Sequence, residues 1–305
     1  MTTPWPHPPL VQRLARGVER FAVTGATGWF GRTTLELLGL ALGPHAFRQR
    51  VDAYASRPHT VTVVGVGDVA VRPLDQLASA DVLIHYAYLT PDRLAGMGAA
   101  AFAAANLAIT TRIRAALEDG RYRALLTTSS GAARQPDFDL NPYGALKRLD
   151  ELVLPGAVDG PALVIRVFNA SGPHMSDPAR YALGDLILQA RADRPLTLTA
   201  SGEVIRSYCL VADIVQVALA ELLDGGSGQV ETAGEQEVEI EDLAGEVRRA
   251  LGREGLPIER RRDPEAPPDR YVGDGRRLRE LAHRHGLALT SLRDQIRLTA
   301  GGLEP

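Results

Sequence analysis

The sequence contains one cysteine, Cys209, among 305 residues. A single thiol excludes an internal disulfide framework and a thiolate zinc cluster, so we expect a reducing, cytoplasmic location and no metal site. The chain also lacks an excess of positive charge, because 34 Lys and Arg face 37 Asp and Glu and the net charge is −3. Non-specific nucleic-acid binding requires a basic surface, and we therefore predict no nucleic-acid partner.

Long apolar runs are also missing. No stretch approaches the ~18 residues of a membrane span, and the Pro-rich start MTTPWPHPPL lacks the basic and apolar segments of a signal peptide. We predict no membrane association and a flexible arm over residues 1–17.

The order of the apolar runs predicts an α/β fold. In the first half, short apolar runs from Phe21–Thr24 to Leu163–Val167 alternate with helical stretches. Buried strands separated by helices are typical of parallel strands joined by crossovers, which indicates a doubly wound, Rossmann-type sheet.

After Asn169 helical segments dominate, among them Val211–Leu223 and Ile240–Leu251, and only short strands interrupt them. We predict a smaller mixed α/β C-terminal region that binds the substrate. The expected division is a dinucleotide-binding domain at 18–168 that is rejoined by 207–235, and a substrate region at 169–206 and 236–305.

A glycine-rich loop, Thr24-Gly25-Ala-Thr-Gly28-Trp-Phe-Gly31, ends the first strand and opens the first helix. The first glycine permits the tight turn, the second lets the backbone approach a pyrophosphate, and the third lets helix and strand pack closely. At the first β–α turn this pattern indicates a dinucleotide site. The predicted cofactor-binding set also includes Thr27, Trp29, Phe30 and Ala87.

The end of the second strand bears on the choice of cofactor. An NAD site requires an acid there, but Asp52 lies at the start of the strand and Ser56-Arg57 follow its end. A hydroxyl and a guanidinium suit a 2′-phosphate, which favours NADP(H) over NAD. Asp68 and Val69 follow the third predicted strand, Val61–Val64, where the carboxylate could accept from the adenine amino group or simply belong to a turn.

The predicted catalytic residues lie around the fifth strand and the helix after it. Ser130 ends the strand, while Asn141 and Pro142 are typical of a helix start. Tyr143 and Lys147 are four residues apart and share one helix face. An ammonium one turn away favours phenolate, so the tyrosine could act as an acid or a base at neutral pH.

The TGxxGxxG loop, the strand-end serine and the YxxxK pair resemble the extended short-chain dehydrogenases/reductases of the nucleotide-sugar epimerase/dehydratase/reductase group. The resemblance covers about residues 20–300. It implies that Ser130 and Tyr143 contact the reacting carbonyl or hydroxyl, and that Lys147 binds the nicotinamide ribose and lowers the pKa of Tyr143. Asn106 resembles the asparagine that supports this lysine through water.

The second half carries further resemblances. Arg166-Val-Phe-Asn169-Ala-Ser-Gly-Pro173 is similar to the family's RxxNxxGP segment, and Arg206-Ser-Tyr208 is similar to its RSY block. Arg270 resembles a late arginine that closes over the nucleotide. The resemblance implies that Asn169, Arg206, Arg270 and Tyr271 contact a nucleotide sugar, with the arginines on its phosphates.

One departure narrows the chemistry. Gly131 and Ala132 occupy positions where the 4,6-dehydratases carry an Asp-Glu pair, which argues against dehydration. The expected activity is NADP(H)-dependent reduction of a nucleotide-linked 4-keto-6-deoxy sugar. The alternatives are a C4 epimerase with tightly bound NAD, a reductase of a non-sugar carbonyl and an inactive NADP(H)-sensing protein. The resemblance also implies a homodimer formed through the fourth and fifth helices.

Overall fold

The computed structural model describes residues 5–137 and 139–303. Fifteen strands and ten α-helices are formed within these ranges. The strands are β1 (Phe21–Thr24), β2 (Val51–Ala55), β3 (His59–Val63), β4 (Gly67–Pro73), β5 (Val82–His85), β6 (Ala124–Ser130), β7 (Ala162–Val167), β8 (Asn169–Ser171), β9 (Leu196–Leu198), β10 (Val204–Arg206), β11 (Tyr208–Leu210), β12 (Gly228–Glu231), β13 (Val238–Glu239), β14 (Ile258–Arg260) and β15 (Asp269–Tyr271). The helices are α1 (Pro8–Arg16), α2 (Trp29–Arg50), α3 (Pro91–Met97), α4 (Ala99–Glu118), α5 (Pro142–Val153), α6 (Ala182–Arg191), α7 (Val211–Leu223), α8 (Ile240–Leu251), α9 (Arg276–Arg284) and α10 (Leu292–Gly302).

The main sheet has eight strands in the order β12-β7-β6-β5-β1-β2-β4-β3. Its neighbouring strands are parallel except for the β3–β4 pair. Every residue of the central strands β1 and β5 is buried, as expected for strands that are covered on both faces. The predicted doubly wound α/β fold is confirmed. Strand order reverses beside β1, and ligands of such sheets bind outside the carboxyl ends of the strands at this point.

The edge of the sheet differs from the sequence prediction. The run around Val61, expected to be another strand of the set of buried strands, forms the antiparallel edge strand β3 and turns back through Gly65 and Gly67 into β4. Both glycines have positive φ, at 76° and 89°, which suits a tight hairpin. The third parallel strand is therefore β4.

Among the described residues, two large apolar cores support one face of the sheet and the C-terminal region, and a third, with Ile113 and Leu117 of α4, covers the other face of the sheet. The first contains the sheet with buried residues of α2, α7 and α9. The second joins α6, α8 and α10. Leu278 and Leu281 of α9 lie in the first core, although they fall within the range 236–305 that the sequence assigns to the substrate region. β12, which lies within the range 207–235 that is expected to rejoin the dinucleotide-binding domain, pairs with β7 in the main sheet. The domain boundaries themselves stay a prediction.

The chain start differs from a flexible arm. Residues 1–4 lie outside the described residues, but residues 8–16 form α1, which packs on α2 and α7. Leu10 and Leu14, one turn apart, are buried in the first core, and the His7 N–H donates to Gln216 Oε1 at 2.7 Å. The prolines that suggested a loose segment occupy the first helical turn, where a missing N–H costs nothing.

Over the described part of the chain, the helices are too short or too polar to span a bilayer.

Candidate active site

Two of the three loop glycines are required by the loop itself. Gly25 has φ +70°, and a Cβ there would lie 2.7 Å from the Ala87 backbone nitrogen. A Cβ on Gly31 would overlap the carbonyl oxygen of Gly25. The third, Gly28, would place a Cβ no closer than 3.3 Å to the Gly25 oxygen, so its outer face is open to a ligand.

The loop fits a dinucleotide. Gly28 is the N-cap of α2 and no side chain of the described residues caps the helix, so its first N–H groups remain available. Trp29 Nε1 is buried and finds no hydrogen-bond partner among the described residues. Uncapped N–H groups at a helix N-terminus suit phosphate oxygens, and a buried indole donor adds to them. Thr27 is exposed at the same turn.

The rings of Trp29 and Phe30 contact other aromatic side chains. Trp29 lies 6.2 Å from the Tyr181 ring, and Phe30 lies 5.5 Å from the Tyr86 ring. Their side chains therefore support the walls beside the loop.

The Thr24 hydroxyl joins the carboxyl ends of β1 and β5. Its oxygen accepts from the Tyr86 and Ala87 N–H groups at 3.3 Å and lies 2.8 Å from His85 Nδ1. Burial lowers the pKa of His85 to about 3, with a further contribution from Lys147, so this imidazole is neutral at physiological pH. The contact brings Ala87 beside Gly25, and the role of both residues in cofactor binding stays a prediction.

The end of β2 carries the two residues that favoured NADP(H). Ser56 and Arg57 are exposed there. Asp52 lies earlier in the strand and is bound by Arg20 at 3.3 Å and by Arg72 at 2.7 Å. The two arginines thus compensate the charge of Asp52, which agrees with the view that Asp52 is not the ribose ligand.

Asp68 and Val69 do not reach the cofactor edge. Both lie at the start of β4, and the Asp68 carboxylate accepts from the Thr62 hydroxyl at 2.8 Å. Ala55 pairs with Pro73, so the carboxyl end of β4 lies five residues after Asp68. The prediction that Asp68 and Val69 bind the cofactor is wrong, because β3 is antiparallel to β4 and not a parallel strand of the sheet. Asp75, exposed just after β4, is the carboxylate at the correct edge. Two glycines flanking Val66 between alternating strands were the signal that could have revealed the hairpin.

The catalytic helix begins as the sequence predicts. Asn141 Oδ1 accepts from the Gly144 N–H at 2.9 Å and caps α5, with Pro142 in its first turn. This start places Tyr143 beside Ser130 at the end of β6. Burial raises the pKa of Tyr143 above its ordinary value, and a hydrogen bond with Ser130 opposes that rise.

Lys147 faces a different set of groups from the one expected. Its Nζ donates to the Thr128 carbonyl at 3.0 Å, lies 3.5 Å from the centre of the Tyr88 ring and 3.9 Å from Asp150 Oδ2. The expectation that Lys147 lowers the pKa of Tyr143 is not met in this geometry, because desolvation of the phenol dominates.

Asn106 is fully buried on α4. Its Oδ1 accepts from the Leu89 N–H at 2.8 Å, and its Nδ2 donates to the Leu89 carbonyl at 3.3 Å. The amide is thus occupied by the segment after β5, and its support of Lys147 through water stays a prediction.

The expected substrate residues meet at β10 and β15. Asn169 Nδ2 donates to the Tyr271 carbonyl at 2.8 Å, and Arg206 pairs with Tyr271 in the β10–β15 register. Arg206 also binds Asp269 at 2.5 Å, while Arg270 binds Glu237. Both guanidinium groups are thus paired with carboxylates, and their contact with substrate phosphates stays a prediction.

Tyr271 lies beside Ser130, one of the predicted catalytic residues. Its ring contacts Phe168 at 4.9 Å, and its hydroxyl is close enough to Gly131 that a Cβ there would overlap it. Hydrogen bonds from Ser130 and from the Ala132 backbone oppose the effect of burial, which raises the pKa of Tyr271. The Tyr271 hydroxyl therefore occupies one side of Ser130.

The glycine geometry predicts different effects for two matched substitutions. Gly31→Ala forces its Cβ into the Gly25 carbonyl and should lower the free energy of unfolding by on the order of 1–3 kcal/mol. At Gly28, φ is −85° and a Cβ would meet only the Gly25 carbonyl oxygen, at 3.3 Å, so the stability of Gly28→Ala should stay within about 1 kcal/mol of wild type. Chemical denaturation of both variants measures the difference. Equal stabilities would contradict the described loop.

Comparisons with known proteins agree with the α/β fold described above. The model of the family described as "Epimerase: NAD dependent epimerase/dehydratase family" matches residues 21–232, and no curated protein matches the chain. A UDP-N-acetylglucosamine 4-epimerase from Methanobrevibacter ruminantium is a similar solved structure, with 15% identity, a TM-score of 0.71 and coverage of 93% of this chain and 97% of that chain. A UDP-glucose 4-epimerase from Brucella ovis in complex with NAD has 22% identity, a TM-score of 0.68 and coverage of 93% and 99%.

A third similar structure is the Bordetella bronchiseptica enzyme WbmF in complex with NADH, with 19% identity, a TM-score of 0.69 and coverage of 95% and 93%. At such identities these structures show a shared fold. The family model covers more than half of the sequence and includes the glycine loop, Ser130 and the Tyr143–Lys147 pair. The chain belongs to the NAD dependent epimerase/dehydratase family.

Proposed function

We propose that this protein is an NAD(P)-dependent enzyme that transfers hydride at a carbonyl or hydroxyl carbon of a nucleotide-linked sugar. The observation that carries the proposal is the position of Tyr143, in the first turn of α5, beside Ser130 at the carboxyl end of β6, in a sheet whose first β–α turn can hold a dinucleotide. Structures of similar fold include nucleotide-sugar 4-epimerases, which supports the substrate class.

The chain's own residues supply the proton chemistry. When bound, the nicotinamide supplies or accepts the hydride. The Tyr143 hydroxyl donates its proton to the substrate oxygen during reduction and accepts it back during oxidation. Ser130 holds that oxygen by a hydrogen bond. For the substrate oxygen to reach Ser130, the Tyr271 hydroxyl must move away from Ser130.

The phosphates of the substrate are proposed to bind at Arg206 and Arg270. Asp269 and Glu237 hold these guanidinium groups, and a diphosphate would exchange with the carboxylates. Asn169 orders this region through the Tyr271 backbone. We also keep the expectation of a cytoplasmic location.

Two reactions use this arrangement. Net reduction of a 4-keto-6-deoxy sugar is favoured by Ser56 and Arg57, which suit the 2′-phosphate of NADPH. C4 epimerisation with retained NAD is favoured by the similar solved structures, two of which are named as 4-epimerases.

Cofactor balance separates the two reactions. A reductase oxidises one NADPH for each keto-sugar consumed, whereas an epimerase interconverts sugars without net change in cofactor. Tyr143→Phe should lower kcat at least about a hundredfold in either reaction, because the acid–base proton is removed. Absorbance of the reduced nicotinamide and chromatography of the sugars measure both quantities. Unchanged turnover by Tyr143→Phe would refute the assignment, provided dinucleotide binding is retained.

The cofactor preference predicts a selective effect at Arg57. Arg57→Ala should weaken NADP⁺ binding about ten- to a hundredfold, since a charge-assisted contact contributes roughly 1.5–3 kcal/mol, and should leave NAD⁺ binding unchanged. Calorimetric titration of each dinucleotide measures the affinities, with NAD⁺ as the internal control. Equal losses for both dinucleotides would refute a 2′-phosphate contact.

The homodimer expected from the family resemblance has a candidate interface on α4 and α5. Leu107, Leu149 and Leu152 are exposed on these helices. We propose that a second copy covers them. Leu152→Glu should convert a dimer to a monomer in sedimentation velocity, whereas Leu140→Glu, also exposed but in the loop before α5, should not. A wild-type monomer would contradict the proposal.

A further inference from the structure

Lys147 is the one lysine of the sequence, and every other residue in the Lys and Arg total of 34 is an arginine. Arginine stays protonated in proteins, whereas a buried lysine can lose its proton. The sequence therefore places its one compact, titratable ammonium at position 147, in the helix that carries Tyr143.

Three groups from three parts of the fold surround this ammonium. Thr128 of β6 offers its carbonyl at 3.0 Å, the Tyr88 ring after β5 lies 3.5 Å from Nζ, and Asp150 of α5 lies at 3.9 Å. The Lys147 and Asp150 side chains are 6% and 5% exposed. We call these three groups the lysine cage.

Asp150 is held in place from the opposite helix. The Thr110 hydroxyl of α4 donates to Asp150 Oδ1 at 2.7 Å, which leaves Oδ2 facing Lys147. A buried carboxylate is costly unless a cation and hydrogen bonds compensate it. Oδ1 is thus oriented by Thr110, and the charge on Oδ2 is compensated by Lys147.

The other titratable groups around Lys147 cannot replace this charge. Glu151 is bound by Arg148 at 2.8 Å and by Arg166 at 2.7 Å. His85 is neutral, because burial lowers its pKa to about 3. Burial raises the pKa of Tyr88 and Tyr143, so both phenols are neutral as well.

We propose that Asp150 is a positioning residue that keeps the Lys147 ammonium charged and centred in the lysine cage. The proposal rests on the proposed function in that Lys147 lies on the helix that carries the acid–base residue Tyr143. Burial lowers the pKa of Lys147 to about 8, and the nearby carboxylates oppose this effect, Asp150 first. Removing the carboxylate leaves the desolvation uncompensated, so Lys147 loses its proton at lower pH.

A single lysine makes a direct test possible. Protein grown with lysine carrying ¹³C at Cε gives one side-chain signal, whose shift reports the protonation of Lys147. We expect a midpoint near 8 in the wild type and a decrease of about one unit in Asp150→Asn. Asp119→Asn, which removes an exposed carboxylate at the end of α4, should leave the midpoint unchanged. An unchanged midpoint in folded Asp150→Asn would overturn the proposal.

A second variant covers the case in which Asp150→Asn does not fold. Thr110→Val removes the hydrogen bond to Oδ1 but keeps the carboxylate, so the midpoint should fall by less than in Asp150→Asn. No change in Thr110→Val would also count against the positioning role.

The two proposals fail in different ways. The ¹³C midpoint requires no substrate, so it tests the lysine cage even if no nucleotide sugar is converted. With an active substrate, the alkaline limb of kcat should move to lower pH in Asp150→Asn, which a purely structural defect would not cause. A displaced midpoint without activity on any sugar would refute the proposed function and retain the role of Asp150.

Discussion

The Thr24 hydroxyl is the contact on which the site depends. By accepting from the N–H groups after β5, it fixes the separation of the two central strands at their carboxyl ends. That separation places the backbone of Ala87 so close to Gly25 that no side chain fits between them. The carboxyl end of β5 thus determines the shape of the glycine loop, and the open face of the loop is directed away from the sheet.

A second constraint fixes the catalytic helix. Arg166 of β7 is nearly buried and binds Glu151 of α5 at 2.7 Å and Glu231 of β12 at 2.9 Å. The guanidinium therefore links the sheet, its last strand and the helix that carries Tyr143. Breaking such a buried pair leaves an uncompensated charge, which is strongly unfavourable. It also pairs Glu151 with an arginine, so that Asp150 is the carboxylate that contributes most to the charge of Lys147.

The sequence predicts local structure better than long-range contacts. The bounds of α7 and α8 and the Asn141 cap follow from periodicity and from residue chemistry that acts over a few positions. The direction of β3 was mistaken because an apolar run has no polarity of its own, and only the glycines around Val66 signalled the turn. The contact of Asn169 with the Tyr271 carbonyl joins residues 102 positions apart. No local pattern predicts it.

The first helix has a consequence for how the chain is made. α1 lies at the beginning of the chain, but it packs on α7, about two hundred residues later. During synthesis Leu10 and Leu14 have no complete binding surface until α7 has left the ribosome, because domains fold as their segments emerge. The docking of the N-terminal helix is therefore a late step in assembly. Protection of this segment from proteolysis reports that the first core has closed.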